Sequence, residues 1–243
     1  MRQDILRGLS GSWPTSLVKW DAREAKATDT SGLYAPRHGL PHPMYAYQNL
    51  TSSCVNNFSR LVIELAHEVG ATELLPSACY DLSRFPPSQA AAGYQFSSTS
   101  EIHRLGEYDL LNVLRGREHA SRFFSTFIVN ELEGRDPSNW CIYRNEEKHS
   151  QRRGCQIAFE AVTYELLRDV NGVVCNRNSD PLYAIQDAEL MQTREDTPGV
   201  ENKSVRRTCE ACRAEFGAVV DAAREEFWGK LPQWFGVDLE NWG

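Results

Sequence analysis

Apolar residues recurring at helical pitch constrain this chain more than any other feature. Phe58, Leu61, Val62, Leu65, Ala66 and Val69 keep the i, i+3, i+4, i+7 spacing that lines one face of an α-helix, and Gly70 supplies a stop. Leu74, Leu75, Ala78, Cys79 and Leu82 resume the pattern at once and end at Pro86-Pro87, so the two segments must fold as a helical hairpin. Leu110, Leu111, Val113 and Leu114 before Gly116, then Ala120, Phe123, Phe124, Phe127, Ile128 and Leu132, predict a second pair, with Arg117-Glu118-His119 opening its second helix. Cys155, Ala158, Phe159, Val162, Leu166 and Leu167 predict another helix, ended by Asn171-Gly172. Asp180-Pro181 suits a helix start ahead of Leu182, Ile185, Ala188 and Leu190-Met191. A closing helix runs from about Ser204 to Lys230, with Pro232 as terminator. Strand-like sequence occurs only briefly, at Val173-Val174-Cys175. The expected fold is all-α: an irregular bundle or array of helical hairpins with a long C-terminal helix.

Breaker residues divide the chain. Residues 1–27 hold a short helix at Ile5-Leu6-Arg7-Gly8-Leu9 and a second, capped by Thr15 or Ser16, with Leu17, Trp20, Ala22 and Ala25 roughly on one side. Residues 28–57 turn to Gly, Pro and His, with Ala35-Pro36, Leu40-Pro41 and His42-Pro43. Proline removes a backbone donor and drives the residue before it out of the α region, so this reads as an extended connection. Residues 58–192 form the helical core, with a loop at 88–100 that has room for a turn of helix and a break at 134–139. Residues 193–203, polar and holding Pro198-Gly199, read as a loop, and 204–243 as the C-terminal helix with an aromatic tail packed on the core.

Charge narrows the partners. The 243 residues carry a net charge of −7, which argues against the basic stripe a nucleic-acid surface needs. The clusters Gln151-Arg152-Arg153 and Ser204-Val205-Arg206-Arg207 read as solvated helix faces. No apolar run approaches the roughly 20 residues of a membrane span, and Met1-Arg2-Gln3-Asp4 opens no secretory signal. The expectation is an intracellular protein, cytoplasmic or nuclear, with no nucleic-acid or membrane partner. Seven cysteines, an odd number, fit a reducing compartment, where sequons at Asn49, Asn57 and Asn202 carry no weight.

The sharpest chemical feature is Cys209-Glu-Ala-Cys212, whose knuckle spacing lets two thiolates share one zinc ion. A closed structural site needs two more ligands. Cys141 and Cys155 flank the polar loop 142–154, which also holds His149, and a tetrad of Cys141, Cys155, Cys209 and Cys212 would staple the start of one helix to the start of the last. The other reading is buried free thiols: a lone Cys-x-x-Cys in a helix is often just two small apolar residues, one buried and one not, and Cys141 and Cys155 lack knuckle spacing. Redox catalysis has less behind it, because no thioredoxin-like strand precedes the pair. His67 and His119 lack His-Glu-x-x-His spacing and suit surface or capping roles. No glycine-rich phosphate loop and no Gly-x-Ser-x-Gly elbow occurs, so no catalytic residue is assigned. The aromatic group Phe227, Trp228, Trp234, Phe235 and Trp242 reads as a tail folded back and buried, with a docking patch as the alternative.

These pieces together resemble the region that follows the BTB/POZ domain in a group of fungal proteins. The resemblance rests on Ile5-Leu6-Arg7-Gly8-Leu9 with Trp13-Pro14-Thr15 and Trp20-Asp21, on Val69-Gly70-Ala71 with Leu74 to Leu82, and on Leu114-Arg115-Gly116-Arg117-Glu118. Its most specific part is Cys209-Glu-Ala-Cys212-Arg213 with Arg224, Trp228, Leu231-Pro232 and Phe235-Gly236. Such proteins usually begin with a BTB/POZ fold of about one hundred residues, which this chain lacks. Met1 falls where the later helices begin, as in a truncated gene model, a fragment or a paralogue without the domain. Recruitment of cullin-type ubiquitin ligases belongs to that domain and does not carry over. The resemblance implies a noncatalytic helical region that binds a protein partner or substrate, whose identity the sequence does not name. The competing expectations are an enzyme with an unrecognised all-α site, in which Glu118, His119 and a nucleophilic Ser or Cys converge, and a nonfunctional remnant.

Overall fold

The computed structural model describes residues 2–31, 54–95, 102–148, 152–170, 180–191 and 208–243. Nine α-helices occur among them: α1 (Arg2–Leu9), α2 (Leu17–Ser31), α3 (Cys54–Val69), α4 (Leu75–Ser83), α5 (Pro87–Ala92), α6 (Glu107–Phe127), α7 (Gly154–Val170), α8 (Pro181–Met191) and α9 (Glu210–Trp234). A single 3-10 turn, Thr72–Leu74, leads into α4, and a π turn, Ile128–Leu132, ends α6. The only strands described, β1 (Tyr94–Gln95) and β2 (Ile102–His103), pair antiparallel. Of the described residues 72% are helical, against four in strands, and the class is all-α. The chain divides into one unit of residues 1–120 with 228–243 and another of residues 121–227.

In the first unit, α3 ends as its glycine demands. Gly70 takes φ 66°, and the Ala71 and Gly70 amides donate to the Ala66 and His67 carbonyls at 2.8 and 3.4 Å, the paired bonds of a Schellman stop. The chain then turns straight into α4, every residue of which is buried. The buried face of α3 is Ser59, Arg60, Val62, Ile63 and Ala66, and Phe58, expected inside, is 57% exposed. In α2, Trp20 and Glu24 are buried, whereas Ala22 and Ala25 face solvent. In both helices buried polar residues share the inner face: Ser59 and Arg60 in α3, Glu24 in α2. Arg60 donates to the Gly93 carbonyl at 2.9 Å and to that of Gln89, and Arg117 donates to the Phe85 carbonyl at 2.8 Å and to that of Ser83. Two guanidiniums thus satisfy carbonyls at the ends of α4 and α5 that no helical amide reaches.

Three punctuation marks in the sequence act differently in the fold. Gly116 does not break a helix; α6 runs through it, and Arg117-Glu118-His119 lie in its middle. A Cβ at 116 would come within 2.1 Å of the Phe235 ring, so glycine here is a slot for that ring. Pro232 does not end α9, which continues to Trp234. Proline leaves the carbonyl four residues back without its helical donor. That carbonyl belongs to Trp228, and the Trp242 indole N–H donates to it at 2.7 Å. The stretch 88–100, expected to be a loop or to hold a turn of helix, carries most of the short helix α5 and, unexpectedly, β1.

The second unit holds residues 121–127 of α6, α7, α8 and residues 210–227 of α9. Phe124, Phe127, Phe159, Leu166, Ile185, Phe216 and Val220 are buried in it. Phe159 and Phe216 meet edge to face at 5.4 Å, and the Arg135 guanidinium lies over both rings at 5.5 and 5.1 Å. The helix start at Pro181 is as the sequence predicts, with Asp180 accepting the Tyr183 amide at 3.3 Å. The closing helix begins at Glu210, later than the predicted start at Ser204. The bulk of the connection, 32–53, and all of 193–203 lie outside the described residues, as do Asn49, Asn202, His149, Asn171-Gly172 and Val173-Val174-Cys175. Residues 28–31 and 54–57, expected in the connection, are helical.

Candidate metal centre

Each cysteine of the predicted tetrad sits where a helix begins or a turn tightens. Cys155 is in the first turn of α7. Cys209 immediately precedes α9, its carbonyl accepting the Arg213 amide at 2.9 Å, which makes it the N-cap; Cys212 is in the first turn of the same helix. Cys141 lies in a turn, its amide donating to the Ser138 carbonyl at 3.0 Å and its carbonyl accepting from Arg144 at 3.0 Å. A Cys-x-x-Cys pair at a helix start puts both side chains at the same end of the helix, the cap reaching over the first turn toward the residue three further on.

The structure brings all four together. Their sulfurs lie within 4.8 Å of one another, and all four residues are buried. Cys141 Sγ stands 3.6 Å from Cys155 Sγ and 3.8 Å from Cys209 Sγ. Four sulfurs at about 2.3 Å around a tetrahedral ion sit about 3.8 Å apart, which the two separations at Cys141 match, within a cluster spanning no more than 4.8 Å. Cys209 and Cys212 are both buried, as a zinc clamp and buried free thiols alike require.

Backbone amides surround the cluster as donors. The Ser138 amide donates to Cys212 Sγ at 3.3 Å, and the Cys209 amide to Cys155 Sγ at 3.2 Å. Cys209 Sγ accepts from the amides of Cys212 and Ile142. Donors aimed at sulfur favour the thiolate, as do the positive ends of α7 and α9, and a thiolate is what a metal requires. The protonation tendencies follow. Burial works to raise the Cys209 thiol, yet its two amide donors and the thiols of Cys212 and Cys141 bring it down to about 7. Burial pushes Cys155 up to about 12, against the Cys209 amide, and pushes Cys212 upward against the Ser138 amide. One member ionises readily and two of its neighbours hold their protons, the behaviour of a cluster that shares negative charge among close sulfurs.

Sequence reasoning found the four sulfurs and missed their amide donors, which no residue type announces; a helix start set at Ser204 instead of Glu210 hid the place of Cys209 at its N-terminus. His67 and His119 have their partners within the first unit. His67 Nε2 lies 2.9 Å from Asp109 Oδ1 at the surface, and His119 stacks on Trp234 with ring centres 6.3 Å apart. Trp228, Trp234 and Phe235 are buried, with Trp228 against Trp20 and Trp242 at 5.4 Å each and its indole N–H on the Thr15 carbonyl at 3.0 Å. Among the described residues, no helix is long and apolar enough to cross a membrane. No protein family, curated protein or solved structure matches the chain.

Proposed function

We propose that this chain is a noncatalytic, all-α protein-interaction module in which Cys141, Cys155, Cys209 and Cys212 hold one structural zinc ion. The observation that carries the reading is the buried four-sulfur cluster with its ring of amide donors. Four soft thiolates suit zinc, and a site closed by four protein ligands leaves no position for water or substrate, as structural sites do and catalytic ones do not. The ion supplies a cross-link between the turn at Cys141, the start of α7 and the start of α9. In the resemblance to regions that follow a BTB/POZ domain, such a module is the partner- or substrate-binding part of a ubiquitin-ligase adaptor.

Metal analysis of the purified chain tests the zinc: one equivalent, with helicity lost on chelation, is expected. A metal-free chain with undiminished helicity, or a loaded chain whose helicity ignores the chelator, overturns it. The interaction role is tested by capturing partners with the chain alone and with an upstream BTB/POZ segment attached. Specific partners held by the chain alone support it; partners held only through the added segment count against it.

A further inference from the structure

Helix α6 turns an apolar stripe away from its own unit. On its inner side Asn112, Val113 and Gly116 are buried, but Tyr108, Leu111 and Leu114 are 67%, 51% and 36% exposed. Leu111 and Leu114 were expected in the core with Val113; of the three, only Val113 is buried. Spacing of three residues keeps the exposed set on one helix face, and exposed charged residues border it within the helix: Glu107 on the N-terminal side and Arg115 on the C-terminal side.

The order of those charges selects the occupant. Turn a second copy of this face end over end about Leu111, and Glu107 comes level with Arg115 and Tyr108 with Leu114. Every charge then faces its opposite and every apolar residue faces another. Parallel alignment would instead bring each charge against its own kind. We propose that the chain self-associates through α6, as an antiparallel helix pair about a two-fold axis at Leu111. A two-fold interface of this kind needs one patch complementary to itself, and these residues provide it. The face is a single helix wide, so the dimer belongs to the weak, transient class. The inference does not depend on the metal.

Sedimentation of the full chain, zinc present, across about 1–100 µM is expected to show a monomer–dimer equilibrium. Leu111→Glu should leave a monomer with unchanged helicity. Glu107→Arg and Arg115→Glu should each weaken association about tenfold, because symmetry reverses two pairs at once. Mixed together, those two variants should dimerise as well as the original chain: one copy then presents two arginines and the other two glutamates, so both pairs are restored. A chain that stays monomeric throughout, a dimer indifferent to Leu111→Glu, or a mixture no better than its separate components overturns the proposal.

Discussion

Asp81 shows how one buried charge can hold three elements of a unit. Its carboxylate accepts from Arg23 at 3.1 Å, from Arg84 at 2.8 Å and from Ser59 at 2.7 Å, tying α2, α3 and the C-terminal end of α4. Arg84 also donates to Glu24 at 2.8 Å, and the Trp20 ring lies under the Arg23 and Arg84 guanidiniums at 4.6 and 5.1 Å. Burial alone would raise the Asp81 carboxyl; the two guanidiniums and the serine hydroxyl outweigh it and hold the group below its ordinary value of 3.8. A group whose folded value is depressed stabilises the fold fully above its unfolded value and loses that contribution as pH falls through the folded one. Stability should therefore drop below about pH 4, and Asp81→Asn should flatten the dependence there. At neutral pH the same variant should unfold about 3–5 kcal/mol more easily in urea, because two guanidiniums lose their shared counter-charge.

Elements repeat the lesson at the length of a helix, where two residues that usually break helices serve as fittings. Glycine within a helix ordinarily costs about 1 kcal/mol against alanine. At position 116 the sign reverses, since alanine meets the Phe235 ring, and Gly116→Ala should cost about 1–3 kcal/mol by thermal or chemical denaturation. Adding Phe235→Leu should recover part of that loss, which a purely local effect of the alanine would not allow. Pro232 leaves the Trp228 carbonyl to the Trp242 indole, so Trp242→Phe should lower the melting temperature by a few degrees, about 1 kcal/mol for one hydrogen bond. The helices themselves were legible because an apolar face repeats at 3.6 residues wherever one side must be buried. Their joints were not. Whether Gly116 stops a helix or admits a ring depends on Phe235, far along the sequence, and whether Pro232 ends α9 depends on Trp242. Periodicity read in a window of a dozen residues contains neither partner.

For the molecule as a whole, the candidate metal centre was half legible in the same way. Cys209 and Cys212 carry their spacing in the sequence; Cys141 and Cys155 are 14 residues apart and join them only through the turn after α6 and the start of α7. Folding brings the second half, so only folded protein distinguishes a zinc clamp from four buried thiols. Thiol labelling makes that distinction, because both readings bury the sulfurs but only one changes when metal is withdrawn. With zinc held, Cys141, Cys155, Cys209 and Cys212 should resist alkylation together. A chelator should expose all four in parallel, along with faster amide exchange over residues 138–158 and 208–216 of the second unit. Cys79 provides the internal reference: it is fully buried in α4 of the first unit, its thiol is pushed upward by burial and by Asp109, and its labelling should be the same with and without chelator. Acid should mimic the chelator, since protons compete for each thiolate and zinc affinity falls as pH is lowered. Cys155→Ser should abolish stoichiometric zinc and reproduce the chelated exchange pattern, while Cys79→Ser keeps the metal. If the four cysteines label at one unchanging rate whatever the chelator or pH near neutrality, they are free thiols and the clamp does not exist.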